Sequence, residues 1–254
     1  MKIERLFSAA VRLALVGILA QASVADAAEI KVLCSTALKT VMEELVPKFE
    51  QTTKNKVVIE FGLAAVMAQR IEGGESFDVA VLTPGPFDEV IKRGKIVPNT
   101  RAVIARSGLG IVIRAGARKP DISTVEAFKR ALLDAKSIAY AKEGAAGTAF
   151  APLIQKLGIA GDLKSKITLT ANGAQVSEAV VHGDAEFGVL PVSEILPVRG
   201  AELLGTFPGD AQSYVVMVAG VSASARQGDA ARQLIAFLMA PASVPVIKAK
   251  GMER

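Results

Sequence analysis

The segment Ile30–Phe61 reads IKVLCSTALKTVMEELVPKFEQTTKNKVVIEF. It opens with a short apolar run, Ile30 to Leu33, which predicts a strand. Apolar residues then recur at alternating gaps of three and one from Leu38 to Phe49, as on one face of a helix. Val57 to Phe61 is β-branched and apolar, which predicts a second strand. A strand, a helix and a strand in this order are typical of a parallel α/β sheet.

The alternation continues downstream of this segment. Ala64–Glu72 predicts a short helix that ends at the pair Gly73-Gly74. Phe77–Leu82 predicts a buried strand, and Pro84–Arg93 predicts a helix closed by Gly94. Three such alternations favour a parallel sheet with helices on both faces.

A second series begins at Ala102–Arg114, which predicts one long strand or two strands joined at Gly108. Ser123 with Glu126 three residues later matches a capping box and predicts a helix through Leu133. We expect the later elements to form a second sheet with its helices. They are the strand Ser137–Ala141, a helix from the loop Glu143–Thr148 to Gly158, the strand Ile167–Thr170, a helix capped by Asn172 with Gln175 and ended by His182-Gly183, the strand Phe187–Leu190, a β-rich run Tyr214–Ala219 of open placement and the helix Ala230–Met239.

The amino terminus has the layout of a secretory signal peptide. Lys2 and Arg5 precede an apolar stretch, Leu13–Ala20, and Ala25-Asp26-Ala27 provides a small-x-small cleavage site. The apolar stretch is too short to span a bilayer securely. We therefore expect residues 1–27 to be cleaved and the mature chain to be periplasmic, with no membrane insertion.

Composition excludes several classes of function. The chain has 254 residues, of which 51% are hydrophobic, so a large core is expected. One Cys and one His exclude an internal disulfide and ordinary zinc sites, and we expect neither metal nor cofactor. The net charge is +5, but the sequence has no run of basic residues and no aromatic residues interspersed among basic ones. We therefore expect no nucleic-acid partner.

No familiar catalytic motif occurs. The sequence lacks a Gly-x-Ser-x-Gly elbow, a Walker loop and an HExxH motif. The single histidine, His182, stands at a predicted helix end, where it interacts favourably with the helix dipole. Glu143 is the only acid that we place near a cleft, and we predict no catalytic residue.

Two α/β lobes in one chain place a ligand cleft between them, at the carboxyl ends of strands and the amino ends of helices. Helix amino ends present unpaired N–H groups and the positive end of the helix dipole. Aimed at one point, several of them hold an anion without Lys or Arg. Four junctions should face the cleft: Ser35-Thr36-Ala37, Leu63-Ala64-Ala65, Ala145-Ala146-Gly147-Thr148 and Asn172-Gly173-Ala174-Gln175.

In the order of these elements and in several short motifs, the chain resembles periplasmic solute-binding proteins. More narrowly, it resembles the periplasmic component of molybdate ABC importers. The resemblance covers nearly the whole mature chain. It is carried by Lys31-Val32-Leu33, Gln69-Arg70-Ile71-Glu72-Gly73-Gly74, Phe77-Asp78-Val79, Gly144-Ala145-Ala146-Gly147 before Gln155-Lys156-Leu157-Gly158, and Phe187-Gly188-Val189 after Gly183-Asp184.

The resemblance implies an α/β, two-lobed periplasmic binding protein fold, with two mixed sheets flanked by helices and joined by two hinge crossovers. Residues 28–105 plus 215–254 would form one lobe and residues 106–214 the other. It also implies a monomer that closes on a small anionic ligand and delivers it to an inner-membrane ABC permease.

The expected ligand site departs from the molybdate pattern. The family places a serine hydroxyl at the position of Ala37, another within 63–65, and commonly a tyrosine at the position of Pro191. The Ala146 N–H is retained by position, and Ser35 and Thr36 adjoin the first vacant position. The lost hydroxyls favour a small organic carboxylate over an oxyanion. Each oxygen atom of a desolvated oxyanion that receives no hydrogen bond costs about 1–3 kcal/mol of binding free energy.

Two further residues suit a carboxylate ligand. Arg114 ends an apolar run at the expected lobe crossing, where its guanidinium could pair with a carboxylate. Thr83 follows a strand, where cleft residues collect. The candidate ligand-binding residues are therefore Ser35, Thr36, Ala64, Ala65, Thr83, Arg114, Ala146, Gly147, Thr148, Asn172, Gly173 and Gln175.

An enzymatic hypothesis stays open. Proteins resembling the molybdate binders include periplasmic aconitate isomerases, which move a double bond in a tricarboxylate by proton transfer. Import and isomerisation would use the same ligand-facing surface. They differ in whether a base stands within about 3 Å of a carbon-bound proton of the ligand, and no residue pattern identifies that base.

Overall fold

The computed structural model describes residues 27–254. The predicted signal peptide lies outside these residues except for Ala27. The first three strands are β1 (Glu29–Ser35), β2 (Lys56–Gly62) and β3 (Val79–Leu82), with helices α1 (Lys39–Thr53), α2 (Ala64–Glu72) and α3 (Pro84–Lys92). Strand β1 pairs in parallel with both β2 and β3, which confirms the alternation predicted for this region.

Strand β4 (Ala102–Arg114) is one continuous strand of 13 residues and takes part in two sheets. Its first part pairs antiparallel with β9 (Tyr214–Val221), from Ala102 opposite Ala219 to Gly108 opposite Tyr214. From Leu109 onward it pairs antiparallel with β7 (Phe187–Pro191) and β8 (Ala201–Thr206). We propose that the chain crosses between its lobes here and again before β9, close to the predicted boundaries.

The second series of elements lies beyond this crossing. Strand β5 (Ile138–Ala141) pairs in parallel with β6 (Ile167–Thr170) and β7. The strands follow the order β2-β1-β3-β9-β4-β7-β5-β6, with β8 paired to β4. We call β1–β3, β9 and their helices lobe I, and β5–β8 and their helices lobe II. The remaining helices are α4 (Val125–Asp134), α5 (Ala145–Lys156), α6 (Ala160–Leu163), α7 (Gly173–His182), α8 (Val192–Ile195), α9 (Gly228–Met239) and α10 (Val244–Ala249).

One predicted cap is correct and one is displaced by a residue. Asn172 caps α7, because its Oδ1 accepts a hydrogen bond from Gln175 N at 3.1 Å. The capping box assigned to Ser123 and Glu126 is wrong. Thr124 caps α4 through a 3.1 Å bond from Ala127 N to its Oγ1, since the Ser123 N–H is already bound by the Asp121 carboxylate.

The carboxyl-terminal helices cover lobe I. The buried face of α9 includes Ala231, Leu234 and Leu238. Within residues 27–254 no single helix is long and apolar enough to cross a membrane, and only the bent pair of α9 with Pro241–Ala249, taken together, reaches that length and composition.

A buried carboxylate joins three parts of lobe I. Asp78 is 5% exposed and directly precedes β3. Its Oδ2 accepts from Lys31 N at 2.9 Å, and its Oδ1 accepts from Arg226 N at 2.8 Å and Gln227 N at 3.0 Å. Strand β1, strand β3 and the start of α9 therefore depend on one side chain.

We expect Asp78→Ala to lower the free energy of unfolding by about 3 kcal/mol, because several backbone N–H groups would lose their acceptor. Urea denaturation measures this change. Asp88→Ala is the control, since Asp88 makes only a half-exposed ion pair with Arg101 at 3.4 Å, and such pairs contribute at most about 1 kcal/mol. Equal losses in the two variants would contradict the role assigned to Asp78.

Candidate functional site

Residues of both lobes line a cavity of 160 Å³, which we call the interlobe cavity. It adjoins a wider groove of 760 Å³, the outer groove, and the two share Thr36, Leu63, Gly173 and Glu194. From lobe I, the interlobe cavity is lined by Ser35, Thr36, Ala37, Leu63, Ala64, Ala65, Thr83 and Pro86. From lobe II, it is lined by Ala141, Glu143, Gly144, Ala145, Ala146, Thr148, Gly173, Val189, Leu190, Pro191 and Glu194.

Three long helices begin at this cavity. Helix α2 starts at Ala64, α5 at Ala145 and α7 at Gly173, and all three first residues line it. The N-cap residues of α2 and α5 are Leu63 and Gly144, and neither makes a side-chain cap. Uncapped N–H groups from both lobes, together with the positive helix ends, therefore favour negative charge in the cavity.

Two hydroxyl groups also line the cavity from cap positions. Ser35 and Thr83 occupy the N-cap positions of the turn Thr36–Leu38 and of α3, yet neither side chain caps its helix. Both hydroxyls are thus available as donors to a ligand. Thr148 lines the opposite wall, where its Oγ1 donates to Ala145 O at 3.0 Å.

Hydrogen bonds between the lobes hold one wall in position. The hydroxyl of Ser193, in α8, donates to Ala37 O at 3.0 Å. Ser193 N donates to Ser107 Oγ on β4 at 3.1 Å, and that hydroxyl donates to Gly251 O at 3.2 Å. The turn after β1 is therefore fixed against α8, which carries the neighbouring residue Glu194.

Glu194 is the site residue that the sequence analysis missed. It is half-buried and lines both the interlobe cavity and the outer groove. Its carboxyl group lies against the start of α7, since a Cβ built on Gly173 would be 2.3 Å from its Oε2. Burial raises the pKa of Glu194 to about 7, and within residues 27–254 neither a hydrogen bond nor an ionic partner opposes this shift.

The expectation that Glu143 is the only acid near the cleft is therefore wrong. Glu143 lines the cavity but is exposed, whereas Glu194 reaches it from α8. Its position in the sequence could have indicated Glu194, because this residue closely follows the strand that ends at Pro191, and cleft residues collect at such strand ends.

The structure brings most of the predicted site residues together. Asn172 lines only the outer groove. Gln175 holds the turn instead, because its Oε1 accepts from Ala171 N at 2.9 Å. The predicted residues that line the interlobe cavity are Ser35, Thr36, Ala64, Ala65, Thr83, Ala146, Thr148 and Gly173.

The placement of Arg114 at the lobe crossing is wrong. Arg114 is exposed and pairs with Ala201 at the far end of β4. The change of partners occurs between Gly108 and Leu109, and the strand then continues into lobe II at about 3.4 Å per residue.

Gly147 also lies outside the lining, because it serves packing. It is buried in α5, and a Cβ there would be 2.0 Å from Ala141 O and 2.9 Å from the Tyr140 ring. A residue without a side chain lets α5 approach the end of β5, which brings the first residues of the helix to the cavity.

The cavity contains no side-chain cation within the part of the chain that the structure describes. Lys39 lines the outer groove and forms an ion pair with Glu43. Residues 27–254 also contain no group of three or more His, Cys, Asp or Glu placed to hold a metal ion. Attraction for an anion therefore comes from backbone dipoles and hydroxyl groups.

Comparisons with known proteins agree with this architecture. A family model described as bacterial extracellular solute-binding protein matches residues 30–253. An aconitate isomerase of Pseudomonas sp is 24% identical over 227 residues, covering 87% of this chain and 86% of that protein. Molybdate-binding protein ModA of Azotobacter vinelandii is 28% identical over 235 residues, covering 91% of this chain and 92% of that protein.

A solved structure has the same fold. The Azotobacter vinelandii periplasmic molybdate-binding protein superimposes with a TM-score of 0.75 at 21% identity. The match covers 89% of this chain and 99% of that one. The described residues therefore have a two-lobed periplasmic binding protein fold.

We expect Glu194→Gln to stabilise the protein at pH 8 but not at pH 5. The folded state retains a proton that an ordinary glutamate, of pKa 4.5, releases on unfolding. Wild-type stability should therefore fall as the pH rises from about 4.5 to about 7, by up to about 3 kcal/mol. The glutamine is neutral throughout and avoids this loss.

Urea denaturation at both pH values tests this expectation, with Glu143→Gln as the control. Glu143 is exposed at the same cavity, so its replacement should change stability equally at pH 5 and pH 8. A gain for Glu194→Gln that is independent of pH would show that its carboxyl group does not titrate in this range.

Proposed function

Because the chain belongs to the bacterial extracellular solute-binding protein family, we propose that it captures a small anion in the interlobe cavity and delivers it to an inner-membrane ABC permease. One observation carries the proposal: helices α2, α5 and α7, from both lobes, begin at one cavity. We place the mature protein in the periplasm as a monomer, in agreement with the family and the predicted signal peptide.

Backbone donors suit reversible capture of an anion. Their N–H groups are fixed by the helices, so they need no rearrangement to meet the ligand, and the helix dipoles add to them. Since the donors come from both lobes, a bound anion bridges the lobes and favours a closed arrangement over an open one.

The lining favours an organic carboxylate over a tetrahedral oxyanion. Ala37, Ala64, Ala65 and Pro191 line the cavity and present carbon atoms where the molybdate pattern has hydroxyl groups. Carbon atoms offer no hydrogen bonds to the oxygen atoms of an oxyanion, but they can pack against the carbon skeleton of a carboxylate. The outer groove also gives room for a ligand longer than molybdate.

A thermal-shift panel of molybdate, tungstate, sulfate and di- and tricarboxylates tests this proposal. Ligand at 100 times its Kd adds about 2.7 kcal/mol, which should raise the Tm by about 5–11 °C. We expect carboxylates to give the larger shifts. Shifts with molybdate and tungstate alone would instead assign the ligand of the Azotobacter vinelandii protein, and no shift with any anion would contradict the proposal.

Ala145→Pro tests the helix donors directly. Ala145 is the first residue of α5, where proline is tolerated, and the change removes one N–H. Loss of a hydrogen bond to a charged ligand should weaken binding about 10- to 100-fold. Val125→Pro, at the first residue of α4 and outside both linings, should leave the affinity unchanged.

A second candidate function is isomerisation of an unsaturated tricarboxylate, favoured by the position of Glu194. A carboxyl group in the cavity with a pKa of about 7 can take and return protons at neutral pH. In such a reaction the carboxylate removes an allylic C–H proton, the double bond shifts, and the proton returns at the other end of the allyl unit. The similarity to an aconitate isomerase supports this candidate.

Incubation of the protein with trans-aconitate in D₂O, followed by ¹H NMR, distinguishes the two functions. An isomerase would incorporate deuterium and form a second isomer, and Glu194→Gln would abolish both. Binding of trans-aconitate with no deuterium incorporation would assign the protein to capture alone.

A further inference from the structure

We propose that Glu194 binds the anion in its neutral form and donates its carboxyl O–H to a ligand oxygen, so that each anion is captured together with one proton. This inference rests on the proposed binding function and deepens it. It identifies Glu194 as the residue that makes anion affinity depend on pH, and it states that the site accepts an anion when Glu194 is protonated.

The position of the carboxyl group is the first argument. Glu194 faces the interlobe cavity and the outer groove at once, at the start of α7. Gly173 leaves room for the carboxyl group in this position, because a Cβ on residue 173 would be 2.3 Å from Oε2 of Glu194. Among the described residues the carboxyl group has no partner, so its hydrogen-bonding capacity is directed into the space that a ligand would fill.

The surrounding charges are the second argument. Glu143 lines the same cavity, and Lys39 and Glu178 line the outer groove, where Lys39 is paired with Glu43. Two of the charged groups on the strands packed against α8 have ionic partners of their own. These pairs are Arg106 on β4 with Glu253 at 3.1 Å and Glu202 on β8 with Lys119 at 2.8 Å, while Arg114 lies at the far exposed end of β4.

A bound anion would therefore face an uncompensated negative charge if Glu194 were ionised. Like charges at close range disfavour each other's ionised forms, so the ligand shifts Glu194 further toward its neutral form. The neutral carboxyl group then supplies a hydrogen-bond donor that complements the helix N–H groups. The free energy of ligand binding is thus coupled to the uptake of one proton.

This coupling between anion binding and protonation predicts the direction in which affinity changes with pH. Below the pKa of the free protein, about 7, Glu194 already holds its proton and affinity is independent of pH. Above it, each unit of pH lowers affinity by up to tenfold, because the proton must be taken from solution. Between pH 6 and pH 8.5 the loss should be about 10- to 30-fold.

Isothermal titration calorimetry with trans-aconitate and with molybdate tests the inference. Molybdate is fully ionised from pH 6 to pH 8.5 and trans-aconitate is fully ionised at pH 8.5, so a proton taken up on binding under these conditions goes to the protein. Titrations in two buffers of different ionisation enthalpy report that uptake. We expect wild type to lose about 10- to 30-fold in affinity over this range and to take up nearly one proton at pH 8.5.

Glu194→Gln should bind equally at both pH values without proton uptake, since its amide donates a hydrogen bond at any pH. Glu143→Gln, which removes the other acid of the cavity, should retain the wild-type slope. Wild-type affinity that does not change with pH, or a slope that persists in Glu194→Gln, would overturn the inference. Absence of binding by every anion of the panel at pH 6 would instead contradict the proposed function, and the inference with it.

Discussion

The fold depends on one constraint: strand β4 must satisfy the hydrogen-bonding groups of two sheets in succession. Its first part pairs with β9 of lobe I, and from Leu109 it pairs with β7 and β8 of lobe II. Buried backbone N–H and C=O groups need partners, so both sheets are held in register with a single strand. The register shifts once on each side of the crossing: Ile104 of β4 is left without a partner on β9, and Leu204 of β8 is left without a partner on β4.

The shared strand also determines the site. With the sheets joined through β4, helices of both lobes begin at the same cavity, α2 from one side and α5 and α7 from the other. The bonds of Ser193 to Ala37 and Ser107 fix the remaining wall. The proposed anion site thus relies on backbone groups and hydroxyls, which the fold positions without a cationic side chain among the described lining residues.

Glu194 adds a different chemistry to this backbone site. Relatives of this chain are named for molybdate binding and for isomerisation of aconitate. A carboxyl group that exchanges its proton near neutral pH is compatible with either use. In capture it donates to the anion, and in isomerisation it would move a proton of the ligand, so the distinction lies in which ligand atom it meets.

Local patterns in the sequence determined most helices and strands, the Asn172 cap and the family, since helix periodicity, caps and motif order depend on neighbouring residues; strand β8 was not predicted. The bounds of α2 and β6 and the buried face of α1 match the prediction. The tertiary structure alone decided the places of Arg114, which β4 carries past the crossing, and of Glu194. Burial of that carboxyl group depends on its position against Gly173 at the start of α7, a contact between distant segments that no local pattern specifies.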